Sequence, residues 1–256
     1  MITSYTLPTY RQISLLALGL IAASCTAQSL KPAPSGITAH VEGITLQVTA
    51  LRDDVLRVRM ARGADLPEDA SWAVLPAART ASVPVTQEAK GFATKSLRIA
   101  IDEHLQLKVT DLAGNVLQND AAPVSWDGNR FKISKVSTAS DHFFGLGDKP
   151  GPLDRRGETF TMWNTDAFGF QESTDPIYKA IPFFIDVNHG RALGVFLDNT
   201  WQTSFDFAHA DFSRYTLSSL DGPIDYYLMY GPDPKAVVST WSWLTGPTPL
   251  PPLWAL

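Results

Sequence analysis

Between Ile44 and Met60 the chain reads Ile44-Thr45-Leu46-Gln47-Val48-Thr49-Ala50-Leu51-Arg52-Asp53-Asp54-Val55-Leu56-Arg57-Val58-Arg59-Met60. Ile44, Leu46 and Val48 are spaced by two, and Leu56, Val58 and Met60 alternate with Arg57 and Arg59. Residues two apart share a face of a strand but not of a helix, so the stretch predicts two β-strands. The period returns in Leu97, Ile99 and Ile101, and again in Leu105, Leu107 and Val109 across the short Asp102-Glu103-His104 connection. Asp111-Leu112-Ala113-Gly114-Asn115 then supplies a turn before Val116, so antiparallel hairpins are expected. Phe131–Ile133, Ala192–Leu197, Ser204–Phe207 and Ile224–Tyr230 are further strand-like runs, each bounded by Gly, Pro, Asn or Asp. A single helix is predicted over Pro234–Leu244, where Pro opens the first turn and Val237, Val238, Trp241 and Leu244 fall at helical spacing. The expected fold class is all-β, one large antiparallel β-sandwich over residues 37–243. No repeat of fixed period is present, which excludes propellers and solenoids.

Ahead of the strands, residues 1–27 have the pattern of an export signal. Arg11 gives a positive start and Ile13–Ala23 is an apolar run too short to span a bilayer comfortably. Ala22-Ala23-Ser24-Cys25 resembles a bacterial lipobox, with Ala22 where Leu is usual; ordinary cleavage after Ala27 is the alternative. The protein is therefore expected to be periplasmic or extracellular, touching a membrane only through a lipid on Cys25. Residues 28–36, rich in Pro, are expected to be a spacer.

Composition removes several function classes. The chain of 256 residues carries a net charge of -5 and has no Lys/Arg block, so nothing marks it for nucleic acid. One cysteine and five scattered histidines offer no metal-ligand spacing, and no metal or organic cofactor is expected. Gly145-Leu146-Gly147 lacks both the spacing and the βαβ setting of a phosphate loop, and no Gly-x-Ser-x-Gly elbow is present. The adjacent acids Asp53 and Asp54 point to opposite faces and suit a solvated surface better than a catalytic dyad.

The chemistry concentrates in residues 143–201, where aromatics mix with Asp, Asn and Arg in Gly-punctuated, non-periodic segments. A pyranose packs its C–H face on aromatic rings and offers hydroxyls to carboxylates, amides and guanidinium groups, so such a mixture suits a sugar. Taken singly, Trp163, Phe168, Phe170 and Trp201 are expected in the core of a sandwich sooner than at a ligand, while Asp166 lies in an unpatterned loop with no structural role except an Asx turn. Asp166, Trp163 and Phe168 are the substrate-binding candidates, and no catalytic residue is identified. Of the adjacent Arg155 and Arg156, one is expected to be a surface charge and the other to form a salt bridge within the domain rather than to contact substrate.

In order along the chain, Phe144-Gly145-Leu146-Gly147-Asp148, Arg155-Arg156-Gly157, Trp163-Asn164-Thr165-Asp166, Asp175-Pro176-Ile177-Tyr178, Ile181–Phe184, Gly194–Asn199, Leu244-Thr245-Gly246 and Pro251–Leu256 resemble glycoside hydrolase family 31, the α-glucosidase and α-xylosidase family. The likeness covers roughly residues 140–256; residues 37–139 match only as a β-rich leader. The resemblance implies a galactose-mutarotase-like sandwich followed, from 244 onward, by a linker and the opening strand of a (β/α)8 barrel. It implies that the nucleophile and acid/base aspartates lie on barrel strand ends beyond Leu256, so the chain alone is expected to be inactive. It gives Asp166 the role of a sugar-contacting acid on a loop over the barrel mouth. The barrel of the same polypeptide and an α-glucoside or oligosaccharide are the implied partners. Two other hypotheses stand beside it: a freestanding carbohydrate-binding sandwich using Trp163, Asp166 and Trp201, and a structural surface lipoprotein held by Cys25.

Overall fold

The computed structural model describes Met1 and residues 29–255, so the export signal and Cys25 lie outside the described residues. The strands are β1 (Ser29–Ala33), β2 (Gly36–Val41), β3 (Ile44–Arg52), β4 (Val55–Arg62), β5 (Thr86–Glu88), β6 (Gly91–Ala93), β7 (Leu97–Ile101), β8 (Leu107–Asp111) and β9 (Val116–Asp127). They continue as β10 (Arg130–Val136), β11 (His142–Gly147), β12 (Thr159–Met162), β13 (Ala180–Asn188), β14 (Arg191–Leu197), β15 (Thr203–Phe207), β16 (Arg214–Ser219) and β17 (Ile224–Gly231). A short α1 (Pro76–Arg79) and a longer α2 (Pro234–Thr245) complete the elements. One sheet runs β1-β2-β3-β4-β17-β14-β13-β11 and the other β12-β15-β16-β10-β9-β8-β7-β6-β5. Every pairing is antiparallel, and the two sheets make an all-β sandwich.

The core between the sheets follows the alternation. In β7, Leu97, Ile99 and Ile101 are buried while Arg98 and Ala100 are exposed. Phe143, Phe184, Phe205, Phe207 and Tyr215 form its aromatic centre, with Phe143 and Phe207 stacked at 4.7 Å. Each such side chain contributes about 1.5–3 kcal/mol by leaving water. A second core lies on the other face of the first sheet, where α2 packs Val237 and Leu244 against Val55, Phe196, Tyr227 and Met229. Asp233 caps this helix by accepting from the Ala236 N–H at 2.9 Å, Pro234 opens it, and Gly246 at φ 93° ends it.

Covering both faces of the first sheet changes the meaning of Arg57 and Arg59. Both are buried instead of facing water. Asp225, the partner of Arg59 in β4–β17 register, accepts from Arg57 Nε and Nη2 at 3.0 and 2.6 Å. A bidentate carboxylate–guanidinium pair is what lets such charge leave water.

Two expectations are corrected. Ser29–Ala33, read as spacer, is an edge strand paired with β2; Pro32 is tolerated there because an edge leaves backbone groups without ladder partners. Gly145 and Gly147, which lack the setting of a phosphate loop, serve strand packing. A Cβ on Gly145 would stand 2.6 Å from the Phe183 carbonyl oxygen, and φ is 134°, so these glycines let β11 run close against β13 through a register shift. Leu253–Ala255 form one 3-10 turn with Leu253 and Trp254 exposed, not a strand; a strand needs a ladder partner, and these residues pair with none among those described.

Candidate functional site

Loop 163–179 leaves β12 and enters β13, crossing from one sheet to the other at one end of the sandwich. Its base is held by charge. Lys149, whose side chain is fully buried, reaches Asp175 Oδ1 at 2.5 Å and donates to the Thr161 carbonyl at 2.6 Å. Asp175 Oδ2 accepts from the Thr161 N–H, closing a latch between the start and end of the loop. Asn164 Oδ1 accepts from the Ala180 N–H at 2.8 Å, and the Tyr178 hydroxyl donates to the Ala167 carbonyl at 3.2 Å. Phe170 meets Tyr178 edge-on at 6.0 Å.

On this braced loop Asp166 is exposed and has no hydrogen-bond or ion-pair partner among the described residues, so the Asx-turn alternative does not hold. Trp163 is 50 % exposed, Phe168 98 %, Phe170 47 % and Trp201 53 %, so none of the four belongs to the core. The sandwich is already filled by the aromatics of β11, β13, β15 and β16, which leaves the loop rings outside it.

Trp163 and Trp201 border a cleft of about 720 Å³ whose walls also include Trp72, Trp241, Asn164 and Asp198. Asp166 and Phe168 are not part of its lining. Each wall has a local cause. Asn199 donates to the Asp221 and Pro223 carbonyls at 3.0 Å and accepts from the Trp201 N–H at 2.8 Å, which turns the chain so that the indole projects outward. Gly222 at φ 87° makes room, since a Cβ there would meet Trp201 at 2.5 Å. Trp241 of α2 stacks on Phe183 at 4.2 Å. Trp72 sits on a segment tied down by the Arg57–Asp69 pair at 2.9 Å, by Ser71 Oγ accepting from the Val74 N–H at 2.9 Å, and by the Leu75 N–H donating to Leu244.

Asp198 is the half-buried acid of this cleft. Burial pushes its carboxyl up to about 6; the Ser71 hydroxyl works against that shift and nearby Asp225 adds to it. Its Oδ2 has no hydrogen-bond partner among the described residues. A carboxyl held in this way can accept from, or when protonated donate to, whatever enters the cleft.

Trp72, Asp198 and the Lys149–Asp175 latch are not among the residues singled out for function from the sequence. Trp72 does carry a signal, a large aromatic in a polar stretch of no periodicity. Asp198 carries none, because its burial depends on Ser71 and on the Arg57 network. The arginine expectation is corrected as well. Arg155 is buried and donates to the carbonyls of Lys149, Pro150 and Pro152, with its guanidinium over Phe160 at 5.2 Å, and no carboxylate pairs with it among the described residues. Arg156 donates to Ser137 Oγ and to the Asp141 and Phe212 carbonyls. Loop carbonyls supply here the acceptors that a carboxylate was expected to supply. Among the described residues no three His, Cys, Asp or Glu side chains converge in a metal-binding arrangement.

Comparison with known proteins places this architecture. Residues 45–206 match the family described as the glycosyl hydrolase 31 N-terminal galactose mutarotase-like domain. Alpha-glucosidase 2 of Bacillus thermoamyloliquefaciens is 35 % identical over 227 residues, 85 % of this chain and 28 % of the relative. Alpha-xylosidase XylQ of Lactiplantibacillus pentosus is 29 % identical over 156 residues, 59 % of this chain and 20 % of the relative. Among solved structures, the Flavobacterium johnsoniae GH31 dextranase, in a complex with isomaltotriose, superposes with a TM-score of 0.81 at 30 % identity, covering 91 % of this chain and 29 % of that one. The chain thus spans under a third of the length of each of these relatives. Two antiparallel sheets, a loop crossing between them and the match over 45–206 agree, and the chain belongs to glycoside hydrolase family 31, as its N-terminal sandwich domain.

Proposed function

We propose that the chain is the N-terminal part of an exported, retaining glycoside hydrolase that acts on the non-reducing end of α-linked glucosides, with loop 163–179 shaping one wall of the substrate pocket. The observation that carries this reading is Asp166, an exposed acid with no partner among the described residues, on a loop that buried Lys149 holds in place through part-buried Asp175. In such an enzyme one carboxylate attacks the anomeric carbon while a second protonates the leaving oxygen, and that second group then activates the water that hydrolyses the glycosyl-enzyme. Both carboxylates belong to the barrel of the complete polypeptide. This chain's residues bind and orient: Asp166 accepts from sugar hydroxyls, and Trp163 and Phe168 offer ring faces to the C–H side of the pyranose. Residues 1–27 direct export; cleavage after Ala27 discards Cys25, and the alternative, cleavage ahead of Cys25, leaves that residue as a lipid anchor.

In the full-length enzyme, Asp166→Ala should lower kcat/KM on maltose about 10- to 100-fold, the loss of one or two hydrogen bonds to a charged group. The 256-residue chain alone should release no glucose. Glucose release by the chain alone, or unchanged kinetics in the variant, would refute the reading. Proton NMR should show the α-anomer as first product, and palmitate labelling tests Cys25. The exposure of Trp163 and Trp201 favours a second reading, a noncatalytic carbohydrate-binding module. Saturable quenching of tryptophan fluorescence by maltose, lost in Trp163→Ala, would select it.

A further inference from the structure

The outer face of the nine-stranded sheet carries an ordered polar row. By register, Ser125 of β9 lies beside Lys132 of β10, then Ser218 of β16, Ser204 of β15 and Thr161 of β12. Alternation requires it: Phe131, Ile133, Leu217, Phe205 and Phe160 point inward from these strands, so the residues between them point out. The row crosses four inter-strand gaps of about 4.8 Å, a track of roughly 19 Å. It forms the floor of a depression of about 470 Å³ that Asp127, Arg130 and Gln202 also line. The side chains of Ser125, Asp127, Arg130, Lys132 and Gln202 have no hydrogen-bond or ion-pair partner among the described residues. Ser218 Oγ alone in the row bonds the protein, donating to the Ser204 carbonyl at 3.4 Å.

We propose that this face is a second carbohydrate-binding surface, distinct from loop 163–179, that takes a neutral linear oligosaccharide laid across the strands. The donor and acceptor set selects the occupant. Serine and threonine hydroxyls and the Gln202 amide both donate and accept, Asp127 only accepts, and Arg130 and Lys132 only donate, which complements the vicinal hydroxyls of neutral sugars. A protein partner would meet a central patch of serine, threonine and lysine, the reverse of the apolar, aromatic centres that protein interfaces use. A nucleic acid would find two cations offset by one acid, too little charge to release counterions usefully. Thr161 stands two residues before Trp163 and Gln202 directly follows Trp201, so a glycan on the row ends at the rim of the tryptophan cleft. The proposal stands on this face alone and survives or fails independently of the role given to Asp166.

Calorimetric titration of the chain with isomaltotriose, and gel retardation in dextran, test it. Saturable binding is expected. Ser218→Arg, which lays a long charged side chain across the middle of the row, should weaken binding at least about tenfold, and Gln202→Ala should weaken it about threefold. Lys235→Ala, at the exposed start of α2 and away from both the row and the cleft, should leave the affinity within about twofold. Circular dichroism confirms that Ser218→Arg is folded, and Gln202→Ala gives the answer if it is not. No saturable binding to either probe overturns the proposal. Binding lost in Trp163→Ala but kept in Ser218→Arg and Gln202→Ala also overturns it, by placing the sugar in the cleft.

Discussion

Replacing Asp198 by asparagine removes a carboxyl that the cleft holds in an unfavourable place. Its value rises from 3.8 to about 6 on folding, chiefly because burial penalises the charged form. Each pKa unit is worth about 1.4 kcal/mol, so the ceiling is roughly 3 kcal/mol, and solvent on the open side of the cleft screens it to about 2 kcal/mol. The folded-state value lies above the unfolded one, so the folded protein holds the proton more tightly. The associated stability is fully present below about pH 4, falls as pH rises through 4 to 6, and is absent at neutral pH. An asparagine amide at this position cannot ionise. Relative to wild type, Asp198→Asn should gain about 2 kcal/mol between pH 4 and pH 7.5, whatever constant difference the substitution brings. Urea unfolding of both proteins at pH 4, 5.5 and 7.5, followed by tryptophan fluorescence, measures this, because the other titrating groups largely cancel in the difference. A difference in stability that stays constant across those three pH values would refute the burial argument. So would one that shrinks as pH rises.

Lys135 is fully buried, with Nζ 2.5 Å from Asp120 Oδ1 and 3.0 Å from the Tyr226 hydroxyl, so Lys135→Met should cost about 3–5 kcal/mol by stranding Asp120. Chemical denaturation should show the double variant Lys135→Met with Asp120→Leu recovering much of that loss. Gly145→Ala should cost about 2–3 kcal/mol, since φ is 134° and the new Cβ meets the Phe183 carbonyl, whereas Gly169→Ala on the open loop should cost about 1 kcal/mol. A shift in the denaturation midpoint of equal size for the two would contradict the close-approach account of β11. Leu250, Leu253 and Trp254 are 95, 86 and 87 % exposed, so deleting residues 247–256 should reduce self-association of the chain, which light scattering can follow.

The strands that could be read from sequence are those with one face in water. In β7 and β8 the exposed Arg98 and Lys108 alternate with buried aliphatics, and the pattern is visible within ten residues. In β4 both faces are covered, and the fate of Arg57 depends on Asp225, 168 residues away, which no local pattern reports. Strand β1 is concealed for a different reason, because Lys31, Pro32 and Ala33 look like linker and only pairing with β2 makes them an edge. At the candidate site, Asp166 and Trp163 could be picked out because they sit in a motif of contiguous residues. Trp72, Asp198 and Trp241 come together from three distant segments, and their meeting is a product of the fold.

The pairing of β4 with β17 also governs when the domain can be finished. Strands β1 to β4 lie within the first 62 residues, but their sheet stays open at β4 until Ile224–Gly231 exists. At about 5–20 residues per second, the 168 residues separating Arg57 from Asp225 take roughly 10 to 30 s to synthesise. For that interval β4 presents an unpaired backbone edge and the nascent chain holds two arginines that await their counter-ion. So non-local a closure predicts slow folding, and it makes the emerging N-terminal hairpins the species most exposed to mispairing and to capture by holdase chaperones.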